Sequence, residues 1–420
     1  MSQETQYSAT VGIDWADKEH VISIKDHATG KIRTFSIKQS PVAILEWVSK
    51  LRKLYNSGQV AVGLEQSRGA LIYALAQYDL FVLFPVNPVA MAAFRKSMSV
   101  SGAKDDPSDA NLIRIMVEKH YEKLRPWQPA DEATRRVMLL SEKRRRTVNI
   151  RTRISNSLKA LLKEYYPQAI ELAGQKLHVP LGCDLISKWP SFQQLKKAKA
   201  STIRTFYYAH NSRSEKCIKE RLDLIDKEIP LTNDPAIVDS SIIMALALIG
   251  QLRQLTKAIK QFDAAIIEQH KLHPDHAIFD SFPGAGDFLA PRLLAVFGSD
   301  RERWNNASDI QKFSGIAPVT KRSGQSCSIH RRYACPKFIL QTFHEYAAIS
   351  LQFSVWAKAY YDRQKDKGKG HHAVVRSLAF KWIRIIFRCW KDKTMYNEVK
   401  YLQALQKAGS PLLAQLSKAA

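Results

Sequence analysis

The apolar periodicity of this chain changes once, between residues 126 and 131, and that change limits what the chain can fold into. Before it, apolar residues come in short runs suited to strands: Ala9–Trp15, Val21–Lys25, Ile32–Ile37, Val60–Glu65 and Phe81–Val86. Helical patterns separate the later runs, at Val42–Leu54 and Gly69–Tyr78, and two more follow at Val89–Met98 and Asn111–His120. Three strand-like runs in succession, then strands alternating with helices, predict a mixed sheet led by an antiparallel hairpin. From Asp131 the spacing lengthens to steps of three and four. Val137, Leu140, Arg144, Thr147, Arg151, Ile154, Leu158 and Leu161 trace a heptad seam that is apolar at its ends and polar in its middle. Leu248, Leu252, Leu255, Ile259, Phe262 and Ile266 trace a second, cleaner one. The two helices pair either within one chain or between chains; spacing does not choose.

The fold class expected is therefore α/β plus α, in three parts. Residues 1–125 form a mixed-sheet domain, 126–276 a helical coiled-coil middle, and 277–420 a mostly helical unit ending in a long basic amphipathic helix near Ala373–Trp390. Gln175–Pro235 carries lysines and prolines without a clear period and reads as an irregular helical insertion.

Charge narrows the partners. Lys plus Arg number 64 against 39 Asp plus Glu, a formal excess of +25 that repels itself unless a polyanion neutralises it. Nucleic acid does so with release of condensed counterions. No apolar run in the reading above approaches the roughly 20 residues of a spanning helix, so a membrane is not expected. The start Met1-Ser2-Gln3-Glu4-Thr5 lacks the marks of a signal peptide, and the five scattered cysteines suit a reducing cytoplasm.

Inside this basic chain sits an acidic set. Asp14 ends the first strand-like run, Glu65 ends a later one, and Asp106 and Asp109 flank Pro107 before the fourth helix. Their three-residue spacing puts the two aspartates on one helical face if Pro107 lies in the first turn. Carboxylates at neighbouring strand ends and a helix start can converge on two Mg²⁺ ions about 4 Å apart, which clamp the attacking and leaving oxygens of a phosphodiester displacement. Taken singly, each of these residues is more simply a turn residue, a surface charge or a helix cap.

The last part offers a second chemistry. Phe282-Pro283-Gly284-Ala285-Gly286 opens an apolar helix, Phe288–Phe297, and resembles the hairpin of helix-hairpin-helix DNA-binding modules. Gly315-Ile316-Ala317-Pro318 leads to Lys321-Arg322-Ser323-Gly324 and to Ser328-Ile329-His330-Arg331-Arg332. A serine attacks phosphorus once its proton is removed and the developing charge is stabilised, and Arg322, His330, Arg331 and Arg332 could supply that setting. From the residues alone Ser323 competes with Ser314, Ser326 and Ser328, and the segment is equally a basic hairpin whose serines only touch phosphates. Lys143, Arg144, Arg145, Arg146 and Arg151 on the first long helix are further phosphate-contact candidates. So are Lys381, Arg384 and Arg388 with Trp382 and Trp390 on the last, where Leu378, Ile385 and Ile386 read as core.

These motifs, in this order, resemble the DEDD transposases of bacterial insertion sequences, the insertion-sequence one-ten family. Val11-Gly12-Ile13-Asp14, Gly63-Leu64-Glu65 and Lys104-Asp105-Asp106-Pro107-Ser108-Asp109-Ala110 match that family's RuvC-like, RNase H-type domain. Phe282–Gly286, Gly315–Pro318 and Arg322-Ser323-Gly324 match its C-terminal transposase domain. The resemblance implies that Asp14, Glu65, Asp106 and Asp109 bind metal and that Ser323 is the nucleophile, linking transiently to DNA. It also implies donor and target DNA bridged by a noncoding guide RNA, and a homo-oligomer, a dimer assembling to a tetramer, whose subunits share composite centres. The setting would be a bacterial, nucleoid-associated cytoplasmic protein. Asp105 and Pro107 depart from the family's usual threonine and arginine, and Asp105 adds a rival ligand. Two other readings are a RuvC-like structure-specific DNA endonuclease, with Ser323 a bystander, and a noncatalytic nucleic-acid binder.

Overall fold

The computed structural model describes residues 6–56, 58–66, 68–98 and 106–412, and for Asp106 the backbone alone. The chain divides into two compact units, one up to Pro129 and one from Ala130 onward.

The first unit is a five-stranded sheet with helices on both faces. Its elements are β1 (Ala9–Asp14), β2 (Glu19–Asp26), β3 (Ile32–Lys38), α1 (Pro41–Tyr55), β4 (Val60–Leu64), α2 (Ala70–Leu75), β5 (Phe81–Pro85), α3 (Pro88–Met98) and α4 (Asp106–His120). The order is β3-β2-β1-β4-β5. β2 is antiparallel to both β1 and β3, whereas β1, β4 and β5 run parallel, which is the mixed sheet with a leading hairpin that the sequence predicts. β1 and β4 are buried almost throughout and so lack polar alternation. One face packs Val11, Ile13, Val62 and Leu64 on Trp47, Leu51 and Ile72. The other packs Ala61 and Phe84 on Ile113 and Val117 of α4. α4 begins five residues earlier than its apolar pattern does. Pro107 falls in its first turn, where its missing N–H costs nothing.

The second unit is built on two long helices, α5 (Glu132–Tyr165) and α11 (Pro235–Lys271), packed antiparallel within the one chain. Arg136 hydrogen-bonds Gln269, Arg144 bonds Asp263, and Leu158 and Leu162 share a core with Leu248 and Leu252. Asp131 caps α5 by accepting from the Thr134 amide. Burial alone would raise its pKa, but hydrogen bonds from Ser299 and Thr134 bring it down to about 2.

The segment between the long helices is not irregular. It folds as α6 (Gln168–Ala173), α7 (Pro180–Lys188), α8 (Phe192–Lys196), α9 (Ala200–Ala209) and α10 (Glu215–Lys227). These close on the far ends of α5 and α11 around Tyr165, Tyr166, Phe192 and Tyr207. Short helices that each bury only a few apolar residues leave no long period to read.

At the near end lie α12 (His276–Asp280), α13 (Gly286–Phe297), α14 (Ala307–Phe313), β6 (Val319–Ser323), β7 (Ser326–His330), α15 (Lys337–Ser350), α16 (Val355–Asp366), α17 (His371–Lys391) and α18 (Glu398–Lys407). Their core includes Val137 of α5 and the fully buried Trp356, Trp382 and Trp390. Trp382 and Trp390 are therefore core residues rather than nucleic-acid contacts. Their indole N–H groups are committed to Ser350 Oγ (2.8 Å) and the Gly298 carbonyl (2.6 Å).

One further expectation changes. By length and composition α11 is apolar enough to cross a membrane, with a mean hydropathy of 1.7 over its most apolar stretch, contrary to the expectation from the sequence. Asp239 and the serines beside it disguise the run. In the fold Val238, Ala245, Leu248 and Ile249 face the core, while Ile243 and Met244 stay exposed. The polar middle of the first seam also has a cause: Arg144 pairs across the helix pair with Asp263, in a layer where Arg151 is also half-buried. Burial, and repulsion from Arg144, push the Arg151 pKa down, while Asp263 holds it up, so one carboxylate serves two arginines. Asp263→Ala should cost about 1–3 kcal/mol, more than an exposed pair would, because it strands half-buried cations. Urea denaturation checks this; a loss below a few tenths would mean that the pair is only decorative.

Candidate active site

The carboxylate end of the first unit is set by strand register. Ile13 pairs with Leu64, so Asp14 and Glu65 follow one another at the carboxyl ends of two adjacent parallel strands. α4 runs antiparallel to β1 across the same end. Asn111 meets Ser23, which lies opposite Gly12, whereas Glu118 meets Lys25, opposite Thr10. The first turn of α4, with Asp106 and Asp109, therefore lies toward the Asp14 end. Gly12 permits the close approach: a Cβ there would stand 2.1 Å from the Ala110 carbonyl oxygen and 2.4 Å from the Arg114 nitrogen. Switch points of this kind, at strand carboxyl ends, are where α/β sheets place their chemistry.

Asp109 is buried and held by Arg95 of α3, whose Nε and Nη2 lie 2.8 and 2.7 Å from Oδ1. That partner was not foreseen, because Arg95 lies on an otherwise ordinary amphipathic helix. Gln66, next to Glu65, has a buried Oε1 without a hydrogen-bond partner among the described residues. Asp14 and Glu65 are half-buried. Among the described residues no three Asp, Glu, His or Cys side chains stand together as a metal site. Asp106 is described by its backbone alone, and Asp105 lies outside the described residues. The donors at this end are all hard oxygens, the kind that Mg²⁺ takes.

The serine end, in the second unit, is a two-stranded hairpin. Ser323 pairs with Ser326 across Gly324-Gln325, and Gly324 has φ +55°, the positive first loop residue of a II′ turn. Opposite residues of an antiparallel pair share a face, so Ser323 and Lys321 lie with Ser326, Ser328 and His330. Arg322 lies on the other face with Cys327 and is not part of the setting of Ser323. Ser328 Oγ is 2.9 Å from His330 Nε2. Ser323, Ser326 and Ser328 are all exposed, whereas Ser314 is fully buried and donates to the Gln311 carbonyl, which removes it as a rival. The turn at Pro283–Gly286 is packed rather than open. Gly284 has φ +75°, and a Cβ on it would come 2.6 Å from the Phe353 ring.

The remaining basic candidates divide. Lys143, Arg146, Arg322 and Arg331 are exposed, and Arg332 is half-buried with Nε 3.4 Å from the Ala317 carbonyl. Arg144 is tied to Asp263 and lies 5.0 Å from the Phe288 ring, while Arg145 pairs with Glu345 at 3.3 Å. Lys381 lies over the Tyr360 ring at 5.0 Å, and Arg388 pairs with Asp392.

Comparison with known proteins decides the family. A family model described as a transposase, of the DEDD IS110 type, matches residues 11–167, and one described as the IS116/IS110/IS902 transposase family matches residues 276–362. The chain belongs to the IS110 family of transposases. Among relatives, the mini-circle transposase named for IS117, from Streptomyces coelicolor, is 27% identical over 98% of this chain and 99% of its own length. The 43.6 kDa protein of insertion element IS110 from the same organism is 27% identical over 70% of this chain and 72% of its own. The 42 kDa protein of IS900 from Mycobacterium paratuberculosis is 21% identical over 92% and 96%. The sheet of the first unit is compatible with a DEDD, RNase H-like domain, and DNA is the partner that a transposase of this family requires.

Proposed function

We propose that this IS110-family transposase cuts and rejoins DNA through a serine nucleophile on the β6–β7 hairpin, assisted by metal at the carboxylate end of the first unit. The observation that carries the serine half is the hairpin face, which presents Ser323, Lys321 and the Ser328–His330 pair together at an exposed turn. In the step proposed, a serine Oγ–P bond forms as one P–O ester bond of the DNA backbone breaks. The serine proton leaves to a base, and the departing hydroxyl is protonated. Attack by another strand's hydroxyl reverses the step and frees the serine, so no outside energy source is consumed.

Asp14, Glu65, Asp106 and Asp109 would hold Mg²⁺, two ions in the full site, and bound metal supplies charge stabilisation to phosphate oxygens. The chain's own contribution is orientation. Parallel register places Asp14 beside Glu65, and Arg95 keeps the Asp109 carboxylate neutralised. Arg95 holds Oδ1, so a metal at Asp109 would take Oδ2 beside a competing positive charge or displace the arginine. Arg95→Ala should lower the melting temperature without Mg²⁺ and enlarge the stabilisation that Mg²⁺ gives. Equal Mg²⁺ responses in variant and wild type would show that Arg95 and Mg²⁺ do not compete at Asp109.

The functional reading keeps three parts: residues 1–125 as the RuvC-like part, 126–276 as a coiled-coil middle suited to RNA binding and subunit assembly, and 277–420 as the serine part. A noncoding guide RNA would choose sequence by pairing, leaving this protein to hold backbones with its excess of positive charge. The assembly proposed is a homo-oligomer, a dimer passing to a tetramer, in the bacterial cytoplasm at the nucleoid. The test is trapping: protein, Mg²⁺, the element's flanking RNA and end-labelled donor DNA are incubated and denatured. A covalent protein–DNA adduct supports the reading. Cleavage without an adduct favours a RuvC-like structure-specific endonuclease.

One observation favours a second nucleophile. Ser328 has a histidine partner in place, whereas among the described residues Ser323 has no hydrogen bond to one. Ser328→Ala run beside Ser323→Ala separates them.

A further inference from the structure

Beyond the hairpin, the chain from Arg331 onward forms one wall of a cleft of about 380 Å³ against α15 and α17. Its polar lining is Arg331, Lys337, Gln341, His344, His372 and Arg376, with Glu345 as its carboxylate. Glu345 is spent: Arg292 Nη1 lies 2.5 Å from Oε2, and Arg145 and Gln341 bond Oε1 at 3.3 and 2.8 Å. Among the described residues no carboxylate pairs with Arg331, Lys337 or Arg376. Lys337 donates to the Tyr333 carbonyl, Arg331 lies 5.6 Å from the Tyr333 ring, and His371 is bonded through Nδ1 to Tyr361. The His344 and His372 rings are 5.4 Å apart, and His372 is 5.0 Å from His371.

Cations crowded this closely repel, and the molecule registers it. Burial and then His372, Arg376 and His371 push the His344 pKa down, opposed by Glu345. Burial and Arg331 push that of Arg376 down. A site that holds like charges together without a counterion is built for an anion that arrives from outside. Two forked guanidiniums and an ammonium match the paired non-bridging oxygens of a phosphodiester.

We propose that this cleft binds one backbone phosphodiester of the DNA strand engaged at the hairpin, with Arg331, Lys337 and Arg376 as fixed contacts and His344 as a proton-dependent one. The proposal rests on the hairpin as the place where DNA is engaged. It goes further by fixing where a phosphate of that strand other than the reacting one is held, and by making that grip depend on pH. With His344 largely neutral when empty, phosphate binding favours its protonated form, so binding takes up protons and tightens as pH falls through the His344 range. The gain is about tenfold for each unit by which the bound phosphate raises that pKa.

The experiment uses the full chain carrying Ser323→Ala and a short fluorescent DNA oligonucleotide, with an RNA oligonucleotide of the same sequence as the second arm. Binding is measured by anisotropy over a salt series, at about pH 8 and about pH 6. Arg376→Ala should reduce the salt slope for DNA by about one, and His344→Gln should remove most of the tightening between the two pH values. Arg331→Ala, at an exposed position, should reduce the slope likewise and guards against an Arg376 variant that fails to fold. Unchanged slopes in both arginine variants, or pH dependence retained in His344→Gln, would overturn the proposal. Slope changes confined to RNA would also overturn it, by assigning the cleft to the guide strand. The serine reading fails separately, by the absence of any adduct or by one that survives both Ser323→Ala and Ser328→Ala.

Discussion

Ser323→Ala will abolish the covalent protein–DNA adduct and lower strand joining by roughly 10⁴-fold or more, with DNA binding little changed. The size follows from the role, since removing a nucleophile leaves only binding and charge stabilisation to assist the reaction. The fold should not suffer. Ser323 is exposed, and its backbone pairing with Ser326 needs no side chain. The Ser328→Ala variant is the informative companion. If Ser328 only buttresses the hairpin, it loses a modest factor, and the adduct persists. An adduct lost in Ser328→Ala but kept in Ser323→Ala would move the nucleophile two residues past the turn, onto the histidine-paired serine. Cleavage untouched in both would leave a metal-dependent nuclease.

The second large effect is structural in origin. Gly12→Ala should cost about 3 kcal/mol, melt the first unit roughly 10 °C lower, and nearly eliminate cleavage. A Cβ at Gly12 meets backbone, at 2.1 Å from the Ala110 oxygen and 2.9 Å from Arg114 Cα, and a backbone cannot rotate aside. α4 must lift off β1, and it carries Asp106 and Asp109 with it. Gly63→Ala is the control, because its new methyl meets side-chain methyl carbons of Val117 at 2.5 Å and Ile113 at 2.8 Å, which can give. Calorimetry of both variants decides the matter. Equal melting would show that α4 is not pinned by this contact.

Much of this was open to sequence reasoning, and the exceptions share a cause. Strands β1 to β5 were legible because each is a short apolar run bounded by turn residues, and their mixed order followed from how helices interrupt them. Asp14 and Glu65 could be placed at strand ends for the same reason. Arg95 could not be assigned to Asp109, because their meeting depends on how α3 and α4 cross. Likewise Asp263 looked like any charged residue on α11 until antiparallel packing set it against Arg144. Trp382 and Trp390 sit among Lys381, Arg384 and Arg388, so their neighbours in sequence suggested a nucleic-acid face, whereas helical phase turns both indoles into the core. The division of the hairpin into two faces depends on its turn: a two-residue loop sets Ser323 with Ser328 and His330 and sends Arg322 away.

The helix pair has one more consequence. α5 is 34 residues long, a rod of about 50 Å. The chain travels out along it, folds the α6–α10 cluster at the tip, and returns along α11. The two transposase family models stop at residue 167 and resume at 276, so the tip and the returning rod fall between them. Because the tip packs only on the far ends of the two long helices, it sits as a cassette on a boom. It can be lengthened, swapped or reshaped in evolution while the hairpin and its cleft, at the other end, keep their form.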